Sequence, residues 1–198
     1  EYLAYHLGMT GYWSTIQQKH AHLKLIAGKK TLFFHDTRRF GNIKIVNIKL
    51  INKKFDIRLD LLNNSGSLEL QVDFITSLID TKREVCKVLL DQRFFLGVGN
   101  YLKSEILYRS MIHPHTCWSK LKLEEKKIIC RNTRRIMLKS YFSGGAQLRD
   151  FKNPNFGSSL KLDVYQRKTT DDGKIVVSDI TLDKRVTYWC PEIQKIRK

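Results

Sequence analysis

The sequence predicts an α+β protein. Antiparallel strands occupy residues 1–72, a helical domain follows over 73–160, and a β-hairpin closes the chain over 161–198. Three observations carry this reading. Before residue 72 apolar and polar residues alternate in short runs, as strands of an antiparallel sandwich require. From Asp73 to Ser143 apolar residues recur at helical spacing instead. Ile175-Val176-Val177 and Val186-Thr187-Tyr188-Trp189 then read as two strands flanking a turn.

Composition bounds the function. The 198 residues can bury the core of one or two small domains, and 42% apolar with 11% aromatic residues indicate a folded chain. Thirty-six Lys and Arg against 19 Asp and Glu leave a net charge of +17. That excess points to a polyanion, with nucleic acid ahead of an anionic membrane surface. No apolar run approaches the roughly 20 residues that span a bilayer. Cys86, Cys117, Cys130 and Cys190 are scattered with no C-x-x-C pair, so they read as four reduced thiols rather than as disulfides or a metal site.

The strands come first. Tyr2 to Leu7 is a short, mostly apolar run ending at Gly8-Met9-Thr10-Gly11. His22, Lys24 and Ile26 alternate with Leu23, Leu25 and Ala27, and the turn Gly28-Lys29-Lys30 leads into Thr31–His35. After Asp36–Gly41, apolar residues resume at Ile43, Ile45, Val46 and Ile48. Asn63-Asn64-Ser65-Gly66-Ser67 is a turn or linker signal, and the domain boundary is placed near it. Thr76–Asp80, Val85–Arg93, Lys103–Arg109 and Leu123–Phe142 read as helical segments, with Ser119 or Lys120–Lys122 as alternative starts of the last.

The stretch Asp91 to Arg109 is the centre of the reading. Gly97 and Gly99, one residue apart, allow a sharp turn with positive φ and close approach to another surface. Asn100 falls at the start of the next helix, where its side chain can cap and free N–H groups can meet an anion. In so basic a chain that anion reads as a nucleic-acid phosphate. The pattern Gln92-x-x-x-x-Gly97-x-Gly99-Asn100-x-x-x-x-Glu105-x-Leu107, followed by Ile112-His113-Pro114, resembles the helix–two-turn–helix of the formamidopyrimidine-DNA glycosylase/endonuclease VIII family. The resemblance implies that Asn100 grips a phosphate beside the lesion and that Glu105 braces the turn.

Two strand-domain loops are similar to the same family. His6-Leu7-Gly8-Met9-Thr10-Gly11 resembles its H-L-G-M-[ST]-G loop, and Asp36-x-Arg38-Arg39-Phe40-Gly41 its D-x-R-[RK]-F-G loop. The resemblance implies that Met9, Arg38 and Phe40 enter the duplex where a damaged nucleotide leaves. Extruding a base opens a hole in the stack; a thioether and a phenyl ring can fill it, and a guanidinium can bond the orphaned partner base. Gly144-Gly145-Ala146-Gln147-Leu148-Arg149-Asp150-Phe151 resembles the family's G-G-x-x-L-R-D-F segment. The loop after it, Pro154–Ser159, is expected to cover the extruded base and is shorter than in the 8-oxoguanine-preferring branch.

The tail resembles the family's C-terminal zinc finger without its ligands. Leu162–Arg167 matches the lead-in and Lys184–Cys190 the Arg-bearing tip, but Thr170–Lys174 stands where one Cys pair belongs and Cys190 alone where the other does. One thiol cannot hold a tetrahedral zinc. The resemblance therefore implies the zincless finger of endonuclease VIII-like enzymes, animal and giant-virus members included. Tyr165, Val177, Tyr188 and Trp189 would replace the metal by packing, and Arg185 would be a second phosphate clamp. No cofactor and no zinc are expected.

Family members use the amine of an N-terminal proline as nucleophile and the following glutamate as acid/base. Glu1 follows no proline and lies only a few residues before His6, so no catalytic residue is expected in this chain, which alone is expected to be inactive. The sandwich is accordingly expected to be partial, with its remainder upstream. For the parent protein the resemblance implies a base-excision repair DNA glycosylase with AP lyase activity, removing oxidised bases, mainly pyrimidines, by β,δ-elimination. It would be an intracellular monomer, in the nucleus or wherever the DNA is replicated, acting on double-stranded DNA with oxidised bases or abasic sites. The alternative is a catalytically inactive damaged-DNA-binding module.

Overall fold

The structure is a computed structural model, described here for residues 1–8, 10–49, 56–63, 66–145 and 160–197. It divides into two compact units. The first holds the described strand residues up to 49. Here β1 (Tyr2–His6) pairs antiparallel with β5 (Asn42–Val46), and β2 (Gly11–Ser14), β4 (Lys30–Asp36) and β3 (Ala21–Ala27) form a second antiparallel sheet in the order β2-β4-β3. In β3 the half-buried positions are Ala21, Leu23 and Leu25 with exposed residues between them, the predicted period of two. Gly28, at φ +59, makes the tight turn from β3 to β4. Tyr5 of β1 meets Trp13 of β2 edge-on, and Trp13 packs on Phe34 of β4. Phe34 is the one buried apolar side chain of this unit among the described residues.

The second unit contains α1 (Leu68–Leu78), α2 (Val85–Leu89), α3 (Asn100–Arg109), α4 (Leu123–Phe142) and the antiparallel hairpin β6 (Val177–Ile180) with β7 (Val186–Trp189). Its core gathers Val72 and Ile75 of α1, Val85, Val88 and Leu89 of α2, Ile106 and Leu107 of α3, and Ile129 and Cys130 of α4 around Phe95 and Trp118. Trp118 is fully buried, lies edge-on to Phe95, and donates its indole N–H to the Ile79 carbonyl at 3.1 Å.

Several boundaries differ from the sequence reading. The units part before Asp56, not at residue 72, because Leu59 and Leu61 are already buried in the helical core. Arg134 donates to the Leu61 carbonyl at 2.6 Å and Gln71 to that of Asp60 at 3.2 Å, tying this segment to α4 and α1. Helix α1 starts at Leu68 rather than in the mid-seventies, since Leu68, Val72, Ile75 and Ile79 share one apolar face behind extended Ser67. Helix α2 stops at Leu89 instead of Arg93. The Asp91 carbonyl accepts from Phe94 and Phe95, and its carboxylate takes the Arg93 N–H at 3.1 Å, which turns the chain. Helix α4 spans the expected Leu123–Phe142, and its start is at Leu123 rather than at Ser119 or Lys120–Lys122, the Glu125 carboxylate accepting the Lys122 N–H at 2.9 Å. Strand β6 is shifted to Val177–Ile180, and the 161–198 segment clusters with the helices rather than apart from them.

Replacing Trp118 by Phe keeps the aromatic body but strands a buried carbonyl. We expect Trp118→Phe to cost about 1–3 kcal/mol, the scale of an unmade buried hydrogen bond. Urea denaturation followed through the helical signal measures it, and a loss well under that range would assign Trp118 a packing role alone.

Candidate nucleic-acid interface

The turn ahead of α3 is built by one side chain. Gln92 accepts the Gly97 N–H at 2.9 Å and donates to the Val98 carbonyl at 2.9 Å, closing the loop from inside. Gly97 sits at φ +79, and an added Cβ would meet the Met137 methyl at 3.2 Å. Gly99 differs from the sequence expectation: its φ is −109, which any residue adopts, and a Cβ there would meet open space. Neither strain nor internal packing accounts for a glycine at 99. Behind it, the N–H groups of Asn100, Tyr101 and Leu102 have no backbone acceptor among the described residues. The first turn of α3 thus leaves backbone donors without an acceptor among the described residues.

Asn100 is the first residue of α3, not its cap, and makes no capping bond. Its amide instead donates to the Val186 carbonyl at 3.0 Å, while its buried Oδ1 has no partner among the described residues. Val186 adjoins Arg185, whose guanidinium is exposed and makes no hydrogen bond or ion pair among the described residues. The two predicted phosphate contacts are therefore brought to one joint between α3 and the hairpin. The rest of that helix face continues the joint. Lys103, fully buried, donates to Asp183 at 2.6 Å, and the Ser104 hydroxyl accepts the Tyr188 N–H at 3.2 Å. Burial lowers the Lys103 ammonium and the Asp183 partner opposes that shift.

Glu105 braces a different segment from the one expected. Its buried carboxylate accepts the N–H groups of Asp163 at 2.7 Å, Val164 at 3.0 Å and Tyr165 at 2.8 Å, so it holds the lead-in to the hairpin and not the Gly97–Asn100 turn. Burial pushes this carboxyl above its ordinary range against those three donors.

In the tail, side chains occupy the places the sequence comparison assigned to thiols. The Thr170 hydroxyl accepts the Lys174 N–H at 3.0 Å and donates to Asp172, closing the 170–174 turn. Cys190 is buried, and Gln194 takes its N–H at 2.8 Å while donating to the Ile112 carbonyl at 2.8 Å. Tyr101, Tyr165 and Tyr188 form an edge-on chain with centroids 6.3 and 5.2 Å apart, and Trp189 meets His113 at 4.2 Å. The buried valines are Val164 and Val176; Val177, the expected one, is half-buried because the strand begins at it. Among the described residues no group of three or more His, Cys, Asp or Glu could hold a metal ion. His115 bridges Glu84 at 3.0 Å and Asp179 at 2.9 Å, a tie from hairpin to helical core that the sequence reading missed.

In the strand unit, Asp36 organises both predicted loops. Its carboxylate accepts from the Thr10 hydroxyl at 2.5 Å, the Arg38 N–H at 3.2 Å and the Gly41 N–H at 2.6 Å. Those hydrogen bonds, Thr10 first and Gly41 next, hold it below the usual carboxylate range. Gly8 lies at φ +64 against the Phe40–Gly41 backbone, and a Cβ on Gly41 would come within 2.7 Å of the Phe34 ring. The loop presents Phe40, 56% exposed, with the Arg38 guanidinium 4.7 Å from its ring centre. Met9 and the 146–159 segment lie outside the described residues.

Comparison with known proteins agrees with these motifs. Residues 59–152 match the formamidopyrimidine-DNA glycosylase H2TH domain. The formamidopyrimidine-DNA glycosylase of Rickettsia bellii is 33% identical over 210 residues, covering 98% of this chain and 74% of that protein. That of Mycoplasma mobile is 28% identical over 96% of this chain and 73% of its own length. Among solved structures, MutM (Fpg) of Thermus thermophilus superposes with a TM-score of 0.77 at 26% identity, covering 97% of this chain and 75% of that one. Lactococcus lactis Fpg in complex with abasic-site DNA shares the fold with a TM-score of 0.74 at 22% identity, over 98% of this chain and 74% of its own.

The His115 bridge carries a pH dependence. Burial draws the imidazole down, but hydrogen bonds to Asp179 and Glu84 outweigh it, and its titration sits above 6.5. A group raised on folding contributes fully below its unfolded value and loses that contribution as pH climbs through the folded one. The stability gap between wild type and His115→Asn should therefore be widest below pH 6.5 and close on the alkaline side. Thermal melts across that range check it; a gap that stays constant would mean the ring does not change charge there.

Proposed function

Because this chain belongs to the formamidopyrimidine-DNA glycosylase family, we propose that it grips damaged duplex DNA for base-excision repair, as part of a glycosylase with AP lyase activity. One observation carries the reading. Asn100, the family's phosphate-contacting asparagine by motif, is hydrogen-bonded at 3.0 Å to the backbone beside Arg185. Free amide donors and an exposed guanidinium thus converge where a DNA phosphate would supply acceptors. The open space over Gly99 supports the same reading, since a glycine with no internal reason to be one leaves room for an external backbone.

Each residue has a role in the proposed reaction. Asn100, Arg185 and the Gly97–Gly99 turn hold phosphates. Phe40 and Arg38, with Met9, replace the extruded nucleotide: the ring restores stacking and the guanidinium bonds the partner base. An amine then displaces the damaged base at C1′, forms a Schiff base with the opened sugar, and β,δ-elimination cuts the strand. That amine is the family's N-terminal proline, expected upstream of the 198 residues with the glutamate that follows it. The substrates proposed are oxidised pyrimidines, in keeping with a hairpin that resembles the zincless finger of the endonuclease VIII-like branch. No metal is proposed for it: Thr170, Cys190, Gln194 and the tyrosine chain hold the hairpin together, so EDTA should leave its fold intact.

Binding and trapping test the reading. The chain should prefer a duplex carrying an abasic-site analogue over an undamaged one. Arg185→Ala should weaken both and flatten the plot of log affinity against log salt by about one unit, as loss of one phosphate contact does. Phe40→Ala should spare the undamaged duplex and lower selectivity for the damaged one by about 1–3 kcal/mol, the worth of one stacked base. Borohydride trapping on thymine glycol and 8-oxoguanine duplexes, with and without the upstream segment, reads the chemistry. An adduct that requires the upstream segment and favours thymine glycol is expected. Selective binding with no adduct in either form would leave the inactive damage-binding module as the function.

A further inference from the structure

Lys103 is fully buried and Asp183 only 6% exposed, so neither side chain can touch a nucleic acid or take part in the proposed chemistry. An ion pair in such a place is a poor source of stability, because desolvation offsets the attraction and apolar residues of similar volume often serve as well. Its geometry suggests another purpose. One oxygen of Asp183 takes the Lys103 ammonium at 2.6 Å. The other accepts the Arg185 N–H at 3.3 Å and the Thr181 hydroxyl. Thr181 bonds in turn to the Thr187 hydroxyl of β7 at 2.7 Å, and Lys184 passes through φ +61 to complete the turn. A single carboxylate, oriented by a charge on α3, thus fixes the backbone from which Arg185 projects. Lys103 lies one turn along α3 from Asn100, on the same face.

We propose that Lys103 is a positioning residue for the phosphate grip: through Asp183 it sets the hairpin turn so that Arg185 and Asn100 engage the DNA backbone as one rigid clamp. The proposal rests on the reading that Arg185 meets a phosphate. It assigns to a buried lysine an effect on salt-dependent binding that the lysine cannot exert by contact.

The test replaces both charges at once, so that neither is left stranded. Lys103→Met/Asp183→Leu is compared with wild type, Arg185→Ala and the triple variant on a tetrahydrofuran-containing duplex, by fluorescence anisotropy over a series of salt concentrations. The pair replacement should weaken binding about tenfold, the scale of one lost charge-assisted hydrogen bond. It should also flatten the salt slope by about one unit although no DNA-contacting side chain is changed. In the Arg185→Ala background the loss of affinity should shrink to the part carried by Asn100, and the salt slope should not change further. Equal losses in both backgrounds, or an unchanged slope, would overturn the proposal while leaving the phosphate reading in place. Arg185→Ala binding like wild type would overturn that reading, and the proposal with it. Should the double variant fail to fold, Lys103→Gln/Asp183→Asn, which also removes both charges, takes its place in the same cycle, judged by the same two readouts.

Discussion

Two charges buried on one ten-residue helix set the terms for the second unit. Lys103 and Glu105 are almost without solvent, and an uncompensated buried charge costs several kcal/mol. Their compensation comes from a distant part of the chain. Asp183 neutralises the lysine, and the N–H groups of residues 163–165 surround the carboxylate. Withdrawing the hairpin from α3 would strand both charges together. This is why a tail that reads as a separate small domain is compact with the helices, with Asn100 hydrogen-bonded to the strand that follows Arg185.

The hairpin is held by many contacts of modest strength. They are spread over a threonine-closed turn, a buried glutamine that serves Cys190 and Ile112 at once, an edge-on tyrosine chain, and the His115 bridge. Aromatic contacts of this kind add about 0.5–1.5 kcal/mol each beyond their buried area, so the hairpin depends on several acting together. The same distribution gives the hairpin a titratable tie in His115.

In the strand unit the constraint is steric. Gly11 and Gly41 leave no room for a Cβ, with the Leu7 carbonyl and the Phe34 ring in the way, and Gly8 needs both its positive φ and its closeness to Phe40. Asp36 then bonds donors from both loops. A base fixed in this way orders the exposed Phe40 ring and the Arg38 guanidinium beforehand, which lowers the entropic cost of any contact they make.

Much of this was legible in the residues themselves. Apolar spacing alone locates α4 and the strand pattern of β3, because burying one face demands that spacing. The loop motifs and the Gln92–Glu105 pattern mark the family, and Gly97 needs its positive φ for a local reason. What stayed hidden was the identity of each polar side chain's partner. Asn100, Lys103 and Ser104 form a polar helix face whose partners are not near it in the sequence, and the hairpin covers it. Periodicity reports that a face is polar; only the fold decides whether water or another segment satisfies it. For the same reason Asn100 read as a cap and Glu105 as a brace of its own turn, when their partners lie 86 and about 60 residues away along the chain. Local sequence determined the elements and the chemistry each could offer. The tertiary structure decided which of those groups would meet, because a buried charge or amide can be satisfied only by whatever the packing brings to it.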